Sequence, residues 1–397
     1  MISERDLRDR VPEWGLRDDV VEKDYVLGWI LAGIGTEPVL RDGWVFKGGT
    51  CLKKCYLETF RFSEDLDFAV LENGPIVENE VLGYLGRMLE RIGRESGIDF
   101  AVREPRLRVR PSGSLEGRIY YRGPRHAPNP TSIRLDLTLD ELVVRPPVMQ
   151  PIRHLYSDQL PEPASVRCYS LEEVYAEKIR AMGERGRPRD LYDIVFLLDY
   201  SGLADQSELI SETLVAKCES KGVPVPTLKL LQESHHRVEL ESEWVNMLGH
   251  QIPALPPLGH YWDRLPELFR WLDGELEVAP LAPIAGGAGE TVWAPSPSLW
   301  SWGSGPALEP VRFAGANRLC IDLGYRGTVR RVEPYSLRVT QEGNMLLHGI
   351  RRDSGELRSY RVERIQSIEV TTEPFSPVHL VEFRSPSPPS ESPRTRR

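Results

Sequence analysis

Two short motifs within residues 45–70 limit the folds that this chain can adopt. The first is the glycine pair Gly48-Gly49, which follows an apolar stretch. The second is residues 65–70, where Asp65 and Asp67 alternate with apolar residues. Side chains alternate between the two faces of a strand, so this pattern predicts a β-strand with both aspartates opposite the core. The intervening residues suffice for a helix and a return strand, and we therefore expect an α/β fold.

These motifs combine into the chemistry of nucleotidyl transfer. Two carboxylates this close raise each other's pKa unless a divalent cation lies between them, and Mg²⁺ prefers such oxygen ligands. Glycines let the backbone approach a phosphate, and a helix expected to begin near Cys51 offers free N–H groups to it. Either motif alone is more often a simple turn or a solvated strand edge. Their conjunction predicts a metal-bound nucleotide site.

A third carboxylate is expected on a neighbouring strand. Residues 133–140 alternate strictly, and their polar positions include Arg134, Asp136 and Asp140. An aspartate here would complete the metal site and could accept the proton of an attacking hydroxyl. We favour Asp136 because it lies in the middle of the strand, although a solvated polar face would show the same pattern.

Two predicted helices carry further charged candidates. Lys178 falls within an apolar helical arc, where its ammonium either extends past the core to solvent or contacts the triphosphate as a point charge. In the next helix Asp190 and Asp193 lie beside an apolar run, where a purely structural helix avoids charge. Arg189 can pair with these acids or bind phosphate, and helix capping by Asp190 is the structural alternative.

Composition indicates an ordinary globular protein of two or three domains. Of its 397 residues, 27% are charged and 40% hydrophobic. No apolar run could span a bilayer and no amino-terminal signal is present, so we expect a cytoplasmic protein without a membrane partner. The five cysteines include no Cys-x-x-Cys pair, which favours reduced thiols. Cys51 and Cys55 are interpreted as helix packing and not as zinc ligands.

The carboxyl-terminal part differs in charge from the rest. Residues 311–397 contain fifteen arginines, no lysine and ten acids. We expect these arginines to bind phosphates and bases, although Glu333, Glu356 and Glu363 could simply pair with them. Composition marks a linker rich in Pro, Gly and Ala at 277–310 and a disordered tail at 385–397. Around them we expect an α/β core at 1–160, a helical domain completing the site at 161–276 and a β-barrel at 311–384.

Four motifs in order resemble the AbiEii/AbiGii-type nucleotidyltransferase toxins over roughly residues 15–275. The resemblance implies a polymerase-β-like nucleotidyltransferase core followed by a helical domain. It also implies a toxin of a toxin–antitoxin or phage-defence system, some members of which add nucleotides to the acceptor end of tRNA. By motif, Asp65 and Asp67 would hold Mg²⁺, and Lys178 and Asp193 would be essential. The motifs are Gly48-Gly49-Thr50, Arg61-Phe62-Ser63-Glu64-Asp65-Leu66-Asp67-Phe68, Ala176-Glu177-Lys178-Ile179-Arg180-Ala181 and Arg189-Asp190-Leu191-Tyr192-Asp193.

The last module is similar to a WYL domain, which implies a small SH3-like β-barrel that binds ligands or nucleic acid. Turn sequences at residues 341–344 and 353–356 separate alternating strands and support a barrel independently. Met345-Leu346-Leu347 replaces the Trp-Tyr-Leu that names the family. A role that depends on those aromatic side chains is therefore not expected.

The sequence as a whole predicts a Mg²⁺-dependent toxin that transfers a nucleoside monophosphate from an NTP to an RNA, with the tRNA 3′ end as acceptor and an antitoxin as a possible partner. Alternatives are transfer to a protein hydroxyl or small molecule, or a non-catalytic sensor. The presence of every expected acid argues against a sensor. The candidate catalytic residues are Asp65, Asp67, Asp136, Lys178 and Asp193, the metal ligands Asp65, Asp67 and Asp136, and the nucleotide-binding residues Lys47, Gly48, Gly49, Thr50, Ser63, Lys178 and Arg189.

Overall fold

The computed structural model describes residues 1–57, 60–276, 281–293 and 308–383. The predicted tail at 385–397 lies outside these ranges, as does most of the predicted linker at 277–310. Among the helices in these ranges, none is long and apolar enough to cross a membrane.

Seven of the described strands form a mixed sheet that carries the candidate site. The strands are β1 (Trp44–Lys47), β2 (Asp65–Val70), β3 (Arg106–Val109), β4 (Leu115–Tyr121), β5 (Thr131–Thr138), β6 (Val148–Pro151) and β7 (Ser165–Cys168). Their order across the sheet is β3-β4-β5-β2-β1-β7-β6, with β2–β5 and β1–β7 as parallel pairs. The predicted alternation holds, because Leu66, Phe68, Leu135 and Leu137 are fully buried.

Five helices belong to this first part of the chain. They are α1 (Glu4–Trp14), α2 (Asp18–Thr36), α3 (Pro38–Gly43), α4 (Gly48–Cys51) and α5 (Glu78–Ser96). Helix α2 packs against β7 and α5 and so backs the sheet. The helix expected near Cys51 instead begins at Gly48 and continues as a π-helix, Leu52–Tyr56. It begins earlier because Gly48, with φ of +82°, turns the chain directly from strand into helix.

A helical group follows the sheet. Its helices are α6 (Leu171–Arg185), α7 (Pro188–Leu198), α8 (Ser207–Lys221), α9 (Leu228–Glu233), α10 (His236–Leu248), α11 (Leu258–Trp262) and α12 (Leu265–Leu272), with a 3₁₀ turn at Ser201–Leu203. The Ser170 hydroxyl caps α6 by accepting from the backbone N–H of Glu173. Capping of α7 by Asp190 is wrong: Arg187 occupies that position, and Pro188 opens the helix because its fixed φ suits the first turn.

The carboxyl-terminal module is an antiparallel sheet with one helix. Its elements are β8 (Thr291–Val292), α13 (Glu309–Ala316), β9 (Leu319–Tyr325), β10 (Thr328–Val339), β11 (Met345–Arg351), β12 (Leu357–Arg361), a 3₁₀ turn at Val362–Arg364 and β13 (Ile365–Pro374). The strand order is β12-β11-β10-β9-β13, with β8 on β10. Both predicted turns separate strands as expected. Within the described residues β12 and β13 remain at opposite ends of this order, so barrel closure is not observed.

This module packs directly on α7. The Tyr192 hydroxyl donates to Asn317 Oδ1 at 2.5 Å, and Arg318 Nη1 lies 2.8 Å from Asp199 Oδ1. Phe313 lines a small cavity with Phe60, which precedes β2 in the chain. The carboxyl-terminal module thus packs on the same helix that carries Arg189 and Asp193.

Candidate active site

Strand register brings the predicted carboxylates together. Asp67 on β2 lies opposite Asp136 on the parallel strand β5, and opposite Lys47 on the antiparallel strand β1. Asp65 lies two residues earlier on the same face, opposite Arg134. The predicted third carboxylate therefore adjoins the first two, as the alternation of residues 133–140 indicated. Asp140 lies beyond the end of β5, where its carboxylate pairs with Lys221.

The glycine pair leaves room for side chains that a larger residue would displace. A Cβ atom on Gly48 would lie 2.6 Å from Asp67 Oδ2, and one on Gly49 would lie 2.7 Å from Arg61 Nη2 and 3.0 Å from Ser63 Oγ. The Thr50 hydroxyl is buried and donates to the backbone carbonyl of Asp65 at 2.5 Å. The turn thus holds β2 tightly against the start of α4, and Thr50 acts on the strand.

The carboxylate cluster is electrostatically suited to a cation. Burial raises the pKa of Asp67 to about 6; Lys47 opposes this rise, while Asp65 and Asp136 add to it. Burial also raises the pKa of Asp136, against the effect of Arg110, whose Nη2 donates to Asp136 Oδ1 at 2.6 Å. Three hard oxygen donors that lie this close together fit Mg²⁺. Asp65, Asp67 and Asp136 are the residues that could hold it.

Lys178 does not extend to solvent. Its side chain is buried, and its Nζ atom lies 2.7 Å from Asp193 Oδ2 and 3.4 Å from Asp190 Oδ1. Asp193 also receives two hydrogen bonds from Arg61, from Nε at 2.7 Å and Nη2 at 2.8 Å. Asp193 therefore positions two cations beside the cluster. The charge of Lys178, like that of Lys47, opposes the rise in the pKa of Asp67.

Two arginines border the cluster from α6 and α7. Arg189 Nη1 lies 3.9 Å from Asp65 Oδ2, and its Nε atom is buried without a hydrogen-bond partner within the described residues. Arg185 is half exposed, and both oxygens of Asp190 accept hydrogen bonds from its guanidinium. An anion such as a triphosphate would find donors on this side of the site.

Lys47 belongs to a buried ion network. Although burial works against the ammonium, Glu177 and Glu141 hold the pKa of Lys47 above its usual value. Its Nζ atom lies 3.0 Å from Glu177 Oε1, and against the effect of burial Lys47 lowers the pKa of Glu177 to about 2. Lys217, which is fully buried, lies 2.8 Å from Glu173 and 3.5 Å from Glu177. The network ties Lys47 to α6 and α8, beside Asp67.

No sequence pattern identified Arg61, Glu177 or Arg110 as site residues. Arg61 stands in the same motif as Asp65, but its partner Asp193 is 132 positions away. No local pattern predicts such a pairing. The available signal was that Arg61 lies between Phe60 and Phe62, since an arginine in an apolar segment is rarely buried without a carboxylate partner.

Three thiols form a compact group behind the glycine turn. The Sγ atoms of Cys51, Cys55 and Cys168 lie within 4.8 Å of one another, and all three residues are buried. Small buried thiols commonly pack as hydrophobic groups. Their assignment to packing and not to zinc stays a prediction, which metal analysis of the purified protein would test.

Comparison with known proteins agrees with this geometry. The family model described as "Nucleotidyl transferase AbiEii toxin, Type IV TA system" matches residues 29–272, and the WYL domain model matches residues 306–370. No curated protein matches the chain. Among solved structures, the nucleotidyltransferase toxin MenT4 from Mycobacterium tuberculosis H37Rv aligns with a TM-score of 0.51 and 18% identity, over 70% of this chain and 91% of that one. The likeness to MenT4 is one of fold.

Proposed function

Because this chain belongs to the AbiEii family of nucleotidyl transferase toxins, we propose that it transfers a nucleoside monophosphate from an NTP to the 3′ end of an RNA, with a tRNA as acceptor and Mg²⁺ as cofactor. The observation that carries the proposal is the register of β1, β2 and β5. It aligns Lys47, Asp67 and Asp136 across the sheet. Lys47 is the residue directly before the glycine turn.

The chain's own residues divide the work as follows. The backbone at Gly48 and Gly49 approaches the phosphates, because neither residue has a side chain to keep them away. Arg189 and Arg185 donate to the triphosphate from the side of α6 and α7. Asp193, which is itself held by Arg61, keeps Lys178 in place.

The carboxylates complete the reaction. Asp65, Asp67 and Asp136 would hold Mg²⁺, which supplies charge neutralisation for the phosphates. The acceptor hydroxyl oxygen bonds to the α-phosphorus as the bond to pyrophosphate breaks, and Asp136 accepts the hydroxyl proton. Of the two Asp136 oxygens, Arg110 donates to Oδ1, which leaves Oδ2 for these roles.

The finer assignments of fold and setting are part of the proposal. Residues 1–160 form a polymerase-β-like core, 161–276 a helical domain that completes the site, and 311–384 an SH3-like barrel that follows a linker. We place the enzyme in the cytoplasm, with a cognate antitoxin as its partner. The family description, which names a toxin–antitoxin system, supports that partner.

The test is incubation of the protein with each labelled NTP, Mg²⁺ and total RNA, followed by separation of RNA, protein and small molecules. We expect label in RNA from one or a few NTPs. Asp65→Ala and Asp67→Ala should abolish labelling while the proteins stay folded, since phosphoryl transfer depends on metal-positioned oxygens. Label in protein or in a small molecule would show that the acceptor is not RNA. Unchanged transfer by either folded variant would refute the catalytic assignment.

A further inference from the structure

The open face of the seven-stranded sheet carries a row of arginines that ends at the carboxylate cluster. Register aligns Arg106 on β3 with Arg118 on β4, Arg118 with Arg134 on β5, and Arg134 with Asp65 on β2. Paired residues of neighbouring strands point to the same face. We call Arg106, Arg118 and Arg134 the arginine ladder.

All three ladder residues are exposed. Within the described ranges, Arg106 and Arg134 form no ion pair, and Arg118 donates to the Ser132 hydroxyl at 3.1 Å. The three ladder residues therefore form a locally basic row in a protein whose net charge is −9.

The adjacent row on the same face shows that the ladder is not a general feature of the sheet. There Arg108 lies opposite Glu116, Glu116 opposite Asp136, and Asp136 opposite Asp67. Arg110 lies 2.8 Å from Glu116 and 2.6 Å from Asp136, so the carboxylates of β4 and β5 in this row are paired with an arginine. The ladder's guanidinium groups form no ion pair within the described residues and remain available to a ligand, although the charge of Arg134 also acts on Asp136 and Glu116.

The spacing suits a phosphate chain that leads into the site. Neighbouring strands lie about 4.8 Å apart, so the ladder spans about 10 Å and Arg106 is about 14 Å from Asp65. Arginine presents two parallel donors to a phosphate, whereas lysine presents a point charge. Arg103 stacks over the Tyr120 ring at 4.3 Å in the row beyond, which adds a planar surface of the kind that bases stack on.

We propose that the arginine ladder binds the phosphate backbone of the acceptor RNA and leads its 3′ end to the carboxylates. The inference rests on the proposed RNA transfer and names the surface that selects the substrate. A single strand fits better than a duplex, because one row of side chains on a flat sheet can contact one backbone. The ladder acts in binding only, and NTP is bound on the other side, at α6 and α7.

The test compares the triple variant Arg106→Ala/Arg118→Ala/Arg134→Ala with wild type. We expect the KM for RNA to rise at least about tenfold and the KM for NTP to stay unchanged. The slope of log K for RNA binding against log salt should fall by about 2, since each lost single-strand phosphate contact removes about 0.7. The double variant Arg106→Ala/Arg118→Ala leaves Arg134, the neighbour of Asp65, intact. Its change in slope should be about two thirds of the change in the triple variant.

A matched control removes the same charge elsewhere. Arg5, Arg94 and Lys229 are highly exposed residues of α1, α5 and α9. Their triple replacement by alanine should leave the KM for RNA and the salt slope close to wild type. Equal effects of the control and ladder variants would reduce the ladder to bulk charge and overturn the inference.

The remaining outcomes separate the two proposals. If wild type labels RNA and both folded ladder variants keep its RNA KM and salt slope, the ladder inference fails and the proposed function stands. If wild type labels a protein and neither binds nor labels RNA, the proposed function fails, and the proposed role of the arginine ladder in RNA binding fails with it. Weaker labelling of an acidic protein by the ladder variants would then assign the surface to that acceptor.

Discussion

At the scale of single residues, Asp67 is the most constrained member of the cluster. Gly48 packs against its carboxylate, Lys47 and Asp136 lie opposite it on either side, and Asp65 shares its face. Its pKa of about 6 follows from burial among like charges. Without a cation, an ionised Asp67 is therefore a cost to the folded state.

This cost predicts a specific pH dependence of stability. The unfolded carboxyl titrates near 3.9 and the folded one near 6, so its contribution is present below about pH 4 and is lost as pH rises through 6. In metal-free protein, Asp67→Asn should match the stability of wild type near pH 4 and exceed it at pH 7 by about 1–2 kcal/mol, a range reduced because the residue keeps some exposure to solvent. Urea unfolding at both pH values measures this.

Magnesium should reverse the order. Saturating Mg²⁺ should stabilise wild type at pH 7 and leave Asp67→Asn nearly unchanged, because a ligand stabilises only the state that binds it. Asp140→Asn is the opposite control: Lys221 helps keep the pKa of Asp140 below its usual value, so this variant should lose stability at pH 7. A less stable Asp67→Asn protein at pH 7 without metal would contradict the electrostatic account.

The glycine turn gives a second prediction. Gly48→Ala combines an unfavourable positive φ with a Cβ atom 2.6 Å from Asp67 Oδ2. Gly222→Ala has a comparable φ of +66° and nothing within 4 Å of the new Cβ atom. We expect both to lose about 1 kcal/mol from strain, and Gly48→Ala to lose transferase activity as well. Urea unfolding with parallel transfer assays separates strain from the clash, and retained activity in folded Gly48→Ala would refute a tight turn.

At the scale of elements, α7 connects the two parts of the molecule. Arg189, Asp190 and Asp193 face the site from its first two turns, while Tyr192 and Asp199 contact the carboxyl-terminal module. A shift of this helix would move the groups that hold Lys178. The module is therefore positioned to influence turnover through α7.

Arg318 tests this connection with a matched pair of variants. It pairs with Asp199 at 2.8 Å and adopts a φ of +54°, which is unfavourable for a side chain but not for glycine. Both Arg318→Ala and Arg318→Gly lose the ion pair, but glycine relieves the strain by about 1 kcal/mol. We expect both to be cleaved faster between the two parts in limited proteolysis, with alanine less stable in thermal unfolding. Wild-type cleavage rates in both would show that the ion pair does not hold the module.

The elements also show what the sequence could and could not reveal. The period of two placed Asp65, Asp67 and Asp136 on one face, because alternation is a local property of strands. The pairing of Lys178 with Asp193 and of Arg61 with Asp193 was not predicted, since it depends on how α6 and α7 pack against the segment before β2. The early start of α4 was missed because a glycine's φ is set by its surroundings.

At the scale of the whole molecule, charge is arranged differently from what composition suggested. Many carboxyl-terminal arginines are paired: Arg352 with Glu333 at 2.7 Å, Arg358 with Glu356 at 2.6 Å and Arg331 with both Asp322 and Glu373. Pairing with nearby acids, the alternative to phosphate binding for these arginines, is thus what the sheet shows. Within the described residues the ladder arginines form no ion pair, although they lie in the more acidic part of the chain.

This distribution leads to a final prediction about where RNA is bound. Arg326, Arg358 and Arg364 are exposed on the carboxyl-terminal module. Replacing all three by alanine should change the slope of log K for RNA against log salt by less than about 0.7, the value of one single-strand phosphate contact. The ladder variant should change it about threefold more. The measurement is RNA binding across a salt series at constant pH. The two triple variants have the same net charge, because each lacks three positive charges of the wild-type protein. A slope change as large as the ladder's would assign RNA binding to the module, whereas an unchanged slope with altered kcat at saturating RNA would assign it a controlling role through α7.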